Sequence, residues 1–216
     1  MGDASGDARE RRPHAVQADT RILAAVRERL VFDPRSSMAQ LAGAADVGMS
    51  AIYSRFGSRE QLLRRLADEG TSLWADALQR AHDALDRGED AWVVLEAFLR
   101  TASAADVLAL GALIGRTGEE RARMEDLGRS GDELVHRLAQ RGAVREGVTS
   151  SDLGKLLEAV GSVRGDGAER TRMVKARMLD IAIDGLRAGL PPLTGDAPGP
   201  RDFDPGRSER QSARDA

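Results

Sequence analysis

The chain has 216 residues, 41% of them hydrophobic and 31% charged, with aromatics at only 3%. That balance suits a soluble helical protein with a real core and argues against a sandwich of strands. There is no cysteine, which excludes disulfides and thiolate chemistry, and no apolar run approaches the roughly 20 residues needed to span a bilayer. The net charge of −3 rules out an evenly basic coat for nucleic acid, yet between Arg9 and Arg65 eleven arginines face six acids. A small basic head on a more acidic body is the expected arrangement.

Residues 1–18 read as a polar, disordered arm, with Arg9, Arg11 and Arg12 available to follow a minor groove. The opening MGDASGDARERRPHA lacks the hydrophobic stretch of a signal peptide, so a cytoplasmic protein is expected. A first helix is predicted over 19–32, capped by Asp19, with Ile22, Leu23, Val26 and Leu30 on its buried stripe and Pro34 beyond its end. Arg21, near its start, is placed to meet a phosphate.

Three short helices should follow within residues 36–66. Ser37 with Gln40 forms a capping box that starts a helix near Met38. Asp46-Val47-Gly48 breaks the pattern, and a second helix is predicted over 49–56. Gly57 closes it, and Ser58 with Gln61 makes another capping box. Two short helices joined by a tight glycine-containing turn are the parts of a DNA-binding helix-turn-helix.

In the second helix Ile52 and Phe56 point one way, and Val47 in the turn can join them. Ser50 and Ser54 lie opposite, flanked by Ala51 and Tyr53. This small, polar outer face fits a major groove about 12 Å wide. The Tyr53 hydroxyl can reach a phosphate, and Arg55 and Arg59 carry charge to the DNA backbone on either side. Arg59 lies in the first turn of the next helix, where free N–H groups attract phosphate as well. The bland reading of the same pattern is a compact trihelical core in a larger helical protein. Tyr53, Phe56 and the capped Ser58-Arg59-Glu60 start favour DNA binding.

The run MAQLAGAADVGMSAIYSRFGSREQLL resembles the helix-turn-helix of the TetR family of bacterial transcriptional regulators. Val47, Ile52-Tyr53, Phe56, Ser58-Arg59-Glu60 and Leu62-Leu63 carry most of the resemblance, and Ile22-Leu23 and Ala25 are similar to the family's first helix. The match covers roughly residues 20–66. It implies phosphate contacts by Tyr53 and Arg59 and base reading by the first half of the recognition helix. Two departures stand out: the loop Asp33-Pro34-Arg35 lacks a frequent glycine, and Met49 stands where a lysine or arginine is common. The expected DNA-contacting set is Arg21, Ser37, Gly48, Met49, Ser50, Ala51, Tyr53, Ser54, Arg55 and Arg59.

The body, 67–190, reads as helical throughout. Gly70 is expected to interrupt the helix from Ser58, and a further helix covers 71–87. Asp90 caps the next, and 105–116 is apolar on most sides, as a buried helix would be. Helices are expected over 119–141, over 151–163 with Ser151 as cap, and over 168–188, ended by Pro191-Pro192. Residues 191–216 read as a disordered tail.

Little in this body suggests catalysis, and the chain is expected not to be an enzyme. His14, His82 and His136 lack the spacing of a metal site, and no cofactor is expected. The segment 111–118, GALIGRTG, lacks the lysine of a phosphate loop and sits inside a helical pattern. In the resembled family the body encloses a ligand cavity, which makes Trp74, Trp92 and Phe98 candidate contacts for an apolar or aromatic effector. Leu153, Leu156, Leu157 and Val160, with the stripe from Met173 to Leu186, suit pairing of the last two helices with their copies. The expectation is an all-α homodimeric repressor whose grip on operator DNA is released by a small molecule. The alternative is a helical protein-interaction module without DNA-binding activity.

Overall fold

The computed structural model describes residues 5–105, 118–199 and Asp202, with side chains from Ala18 onward. It is all-α. Among the described residues there are eight helices, and the one β-type pairing is an isolated bridge between Val144 and Arg187. The helices are α1 (Ser5–Phe32), α2 (Met38–Ala44), α3 (Met49–Phe56), α4 (Arg59–Asp86), α5 (Ala91–Ala105), α6 (Gly118–Gln140), α7 (Ser150–Ser162) and α8 (Gly167–Asp184). The chain divides into two compact units, 1–66 and 67–216, with the boundary inside α4.

The first unit is a small helical head. Leu30, Leu41, Ile52 and Leu62, one from each of α1 to α4, are fully buried. Burying a side chain of this size contributes about 1.5–3 kcal/mol, and Ile22, Leu23, Val26, Phe56, Leu63 and Leu66 are buried beside these four. Both capping boxes form. Ser37 Oγ accepts from Gln40 N at 3.3 Å while Gln40 Oε1 accepts from Ser37 N at 2.8 Å. Ser58 and Gln61 exchange the same pair of bonds at 3.2 and 3.1 Å.

The second unit holds one hydrophobic core. Helix α7 lies at its centre, packed against α5, α6 and α8. Leu153, Leu157 and Val160 are buried there, as are Gly154 and Gly161. The apolar stripe of α7 is therefore largely absorbed within its own chain. Helix α8 contributes Leu179 and Ile183, with Leu186 just beyond its end, and leaves Met173 and Ile181 outward, each 57% exposed.

Four sequence expectations are corrected. Helix α1 starts at Ser5 rather than at Asp19, so residues 5–18, expected as a disordered arm, are helical in backbone. Three Ala and three Arg in that stretch are good helix formers, set against Gly6 and Pro13, and a helix already nucleated extends without a new nucleation cost. Gly70 does not interrupt α4. One glycine costs about 1 kcal/mol, too little to break a 28-residue helix whose stripe continues from Leu66 to Ala77 and Leu78. The cap of α7 is Thr149, not Ser151. Thr149 Oγ1 accepts from Asp152 N and Asp152 Oδ2 accepts from Thr149 N, a reciprocal box that Ser151 has no equivalent partner to make. Helix α8 ends at Asp184, short of 188, because Leu186 and Arg187 turn back to meet the connector: Arg145 N donates to Leu186 O at 2.8 Å.

Asp90 caps α5 as expected, its carboxylate accepting from Val93 N at 3.0 Å. The apolar helix expected over 105–116 and the segment 111–118 lie outside the described residues but for their ends. So do the side chains of Arg9, Arg11, Arg12 and His14 and most of the tail expected over 191–216.

Candidate nucleic-acid interface

The recognition helix α3 is seated by its own sequence. Ile52 is fully buried and Phe56 nearly so, which fixes the helix about its axis and turns Ser50 and Ser54 outward. Met49, Ser50, Tyr53, Ser54 and Arg55 are exposed, and Ala51 is half-buried at the edge. Gly48 is the N-cap in an extended conformation and has no side chain to cap the helix. The leading N–H groups of α3 therefore have no side-chain acceptor from the N-cap residue. Arg21 and Ser37 are exposed as well.

The turn before α3 is built differently from its glycine content. Gly48 sits at φ −71°, a value open to any residue. The left-handed residue is Asp46, at φ +54°. Val47 N donates to Ala42 O at 3.0 Å and Asp46 N to Gly43 O at 3.2 Å, the paired bonds of a Schellman motif with aspartate in the place usually held by glycine. This closes α2 and sets the entry into α3.

The loop between α1 and α2 has a comparable solution for its missing glycine. Asp33 accepts from Arg35 N at 3.1 Å, from Ser36 Oγ at 3.2 Å and from Arg29 Nη2 at 3.2 Å, while Arg29 Nε donates to Ser36 Oγ at 2.9 Å. Ser36 is fully buried. A side-chain network thus makes the turn without a positive φ.

Two basic residues of the expected set have intrachain partners. Arg59, the first residue of α4, donates from Nη2 to the Pro34 carbonyl at 2.9 Å. Arg55 pairs with Asp19 of α1, and both side chains are more than a third exposed. Neither contact had a local signal in the sequence, since the partners stand 25 and 36 residues apart. The Arg29–Asp33 pair, four residues apart on one helix, did.

The three effector candidates share one core, Phe98 within it and Trp74 and Trp92 packed against it. Trp74 and Phe98 meet edge to face, with centroids 5.7 Å apart and rings at 79°. Trp92 instead lies beneath the guanidinium of Arg187, 4.0 Å from its centroid. Its indole N–H is buried with no hydrogen-bond partner.

The described histidines are structural. Arg137 Nη1 stands 3.0 Å from His82 Nδ1. A guanidinium only donates, so Nδ1 accepts and Nε2 carries the proton toward the Ser130 carbonyl at 3.2 Å. His136 pairs with Gln140. Among the described residues no group of three His, Cys, Asp or Glu could hold a metal ion, and no helix is long and apolar enough to cross a membrane.

A buried-backed helix behind a tight turn, with small polar and basic residues outward, is the arrangement of a helix-turn-helix. Residues 89–188 match the family model of the SbtR-like transcriptional regulator C-terminal domain, one of the TetR C-terminal domain families. Over those 100 residues the chain is similar to the C-terminal domains of TetR transcriptional regulators. Among solved structures, the TetR-family regulator PfmR from Thermus thermophilus is 20% identical over 78% of this chain and 97% of its own, with a TM-score of 0.46. A TetR regulator from Streptomyces coelicolor is 22% identical over 80% and 99%, at 0.44. A TetR-family regulator from Mesorhizobium loti is 19% identical over 80% and 98%, at 0.40. No curated protein matches the chain significantly.

Proposed function

We propose that the chain is a homodimeric repressor whose two heads bind an operator and let go when the body takes up a small apolar or aromatic molecule. The observation that carries the DNA half is the orientation of α3. With Ile52 and Phe56 buried, Ser50 and Ser54 must face out, and only they, Ala51 and Met49 are placed to touch base edges. Tyr53, Arg21 and Arg59 serve as phosphate contacts, assisted by the backbone N–H groups at Gly48 and the start of α3. Ser37 lies at the start of α2, where an exposed helix end also favours a phosphate.

This set offers few of the bidentate base contacts that arginine or asparagine would make. Affinity should therefore come mainly from phosphate, with a log–log salt slope of about −0.9 for each phosphate neutralised. The effector half rests on the Trp74–Phe98 pair and on Trp92, whose buried N–H is open to an acceptor on a ligand. Dimerisation is proposed through the outward side of α8, with α7 supporting it from behind.

The test is fluorescence anisotropy with duplexes from the region upstream of the chain's own coding sequence, alongside scrambled duplexes. Tight, salt-sensitive and sequence-preferring binding is expected. Absence of binding to any duplex at low salt would overturn the reading. An effector identified by quenching of tryptophan fluorescence should lower the measured affinity.

A further inference from the structure

The recognition helix carries one strongly basic side chain, Arg55, and that charge is already engaged. In α3, Arg55 lies on the flank next to the buried Ile52 and about a third of a turn or more from the Ser50–Ser54 face. From that flank Arg55 Nη1 donates to Asp19 Oδ1. Both side chains remain partly open to solvent, at 37% and 38%. An ion pair so exposed is weak and exchanges readily for another anion.

We infer that Asp19 is an affinity-setting residue: it competes with DNA phosphate for Arg55 and so holds down the head's sequence-independent grip. This rests on the DNA-binding reading above. The guanidinium is the longest donor on α3 and can swing from Asp19 to a phosphate on the groove wall. When it does, Asp19 is left as an unpaired carboxylate beside the polyanion, and like charges repel. When it does not, Arg55 releases no counterion on binding. Either way the carboxylate subtracts from a term that is blind to sequence. The effect is to lower binding to random DNA and so to increase the relative weight of Ser50, Ala51 and Ser54. A regulator with so few base-reading groups gains discrimination chiefly by limiting its phosphate contacts. Asp19 is in the middle of α1 rather than at its start, so it has no capping duty to explain its place.

The experiment compares wild type, Asp19→Asn, Arg55→Ala and the double variant by anisotropy over a series of salt concentrations. Operator and scrambled duplexes are used with each. The asparagine keeps the shape of the side chain, and circular dichroism checks that the head stays helical. Asp19→Asn should tighten binding to both duplexes by about two- to fivefold per head, the range set by the weakness of an exposed pair. It should steepen the salt slope by about 0.9 per head and narrow the operator-to-scrambled ratio. In the Arg55→Ala background the same substitution should do neither. An unchanged or weaker affinity in Asp19→Asn, or an equal gain without Arg55, would overturn the inference. Wild type that binds no duplex would instead overturn the DNA-binding reading itself.

Discussion

Arg59 Nη2 donates to the Pro34 carbonyl across 2.9 Å and so ties the first turn of α4 to the loop between α1 and α2. A guanidinium has five donors, and this bond uses one. The remainder can still face a phosphate, now from a fixed position. Arg59→Ala is expected to weaken binding to matched and scrambled duplexes about equally, and to flatten the salt slope by about 0.9 per head. Ser50→Ala should act mainly on the difference between duplexes. Anisotropy on both decides it, and an Arg59→Ala defect confined to the operator would show that the residue is no backbone clamp.

Asp46 occupies the left-handed region at φ +54°, where a side chain other than glycine costs about 1–2 kcal/mol. Asp46→Gly should therefore raise stability by about 1 kcal/mol, part of the relief being returned as extra freedom of the unfolded chain. Asp46→Val should lower it, since a β-branched residue tolerates that region least. Urea unfolding followed by helical circular dichroism reads both. A loss of stability in Asp46→Gly would mean that the carboxylate itself holds the turn.

Gly57 ends α3 at φ +71°, and a Cβ there would come within 1.9 Å of Gln61 Oε1. That oxygen is not free to move away at no cost, because it accepts from Ser58 N in the capping box of α4. Gly57→Ala combines a strained backbone with a broken cap and should cost roughly 2 kcal/mol. Thermal unfolding of Gly57→Ala, and of Gly57→Ala with Gln61→Ala, separates the two causes. If removing Gln61 restores nothing, the backbone strain alone accounts for the loss.

The head is legible in the sequence because its signals are local. Ser37-Gln40, Ser58-Gln61 and the Ile52–Phe56 spacing each act within one turn of helix, and the structure has α2, α3 and the start of α4 where they point. Gly48 misleads about the turn, since its flexibility is unused and Asp46 takes the unusual conformation. At Gly70 the error is one of scale, with a local cost set against a long buried stripe. What pairs Arg55 with Asp19 or Arg187 with Trp92 is tertiary placement, and no spacing in the sequence encodes it. The apolar stripe of α8 reads as one surface, whereas the fold divides it: Leu179 and Ile183 go inward while Met173 and Ile181 stay out.

That division gives a sharp test of the proposed dimer. Each head has one short recognition helix, and two such helices must lie about one turn of DNA, or a multiple of it, apart to enter the major groove together. A rigid apolar interface between bodies would fix that distance. On α8 the outward Met173 and Ile181 lie on the side away from Leu179, Ile183 and Leu186, and Ile181 is 57% exposed in the single chain. An aspartate at 181 should thus cost the isolated chain little, yet burying it between two copies without a partner would be expensive. Ile181→Asp is expected to sediment as a monomer with normal helical content and to bind operator far more weakly than wild type. Ile183→Asp serves as the contrast, because Ile183 is 3% exposed within the core and its charge should unfold the body. If Ile181→Asp stays dimeric and binds normally, the copies meet through another face, and the outward side of α8 has no part in holding the heads apart.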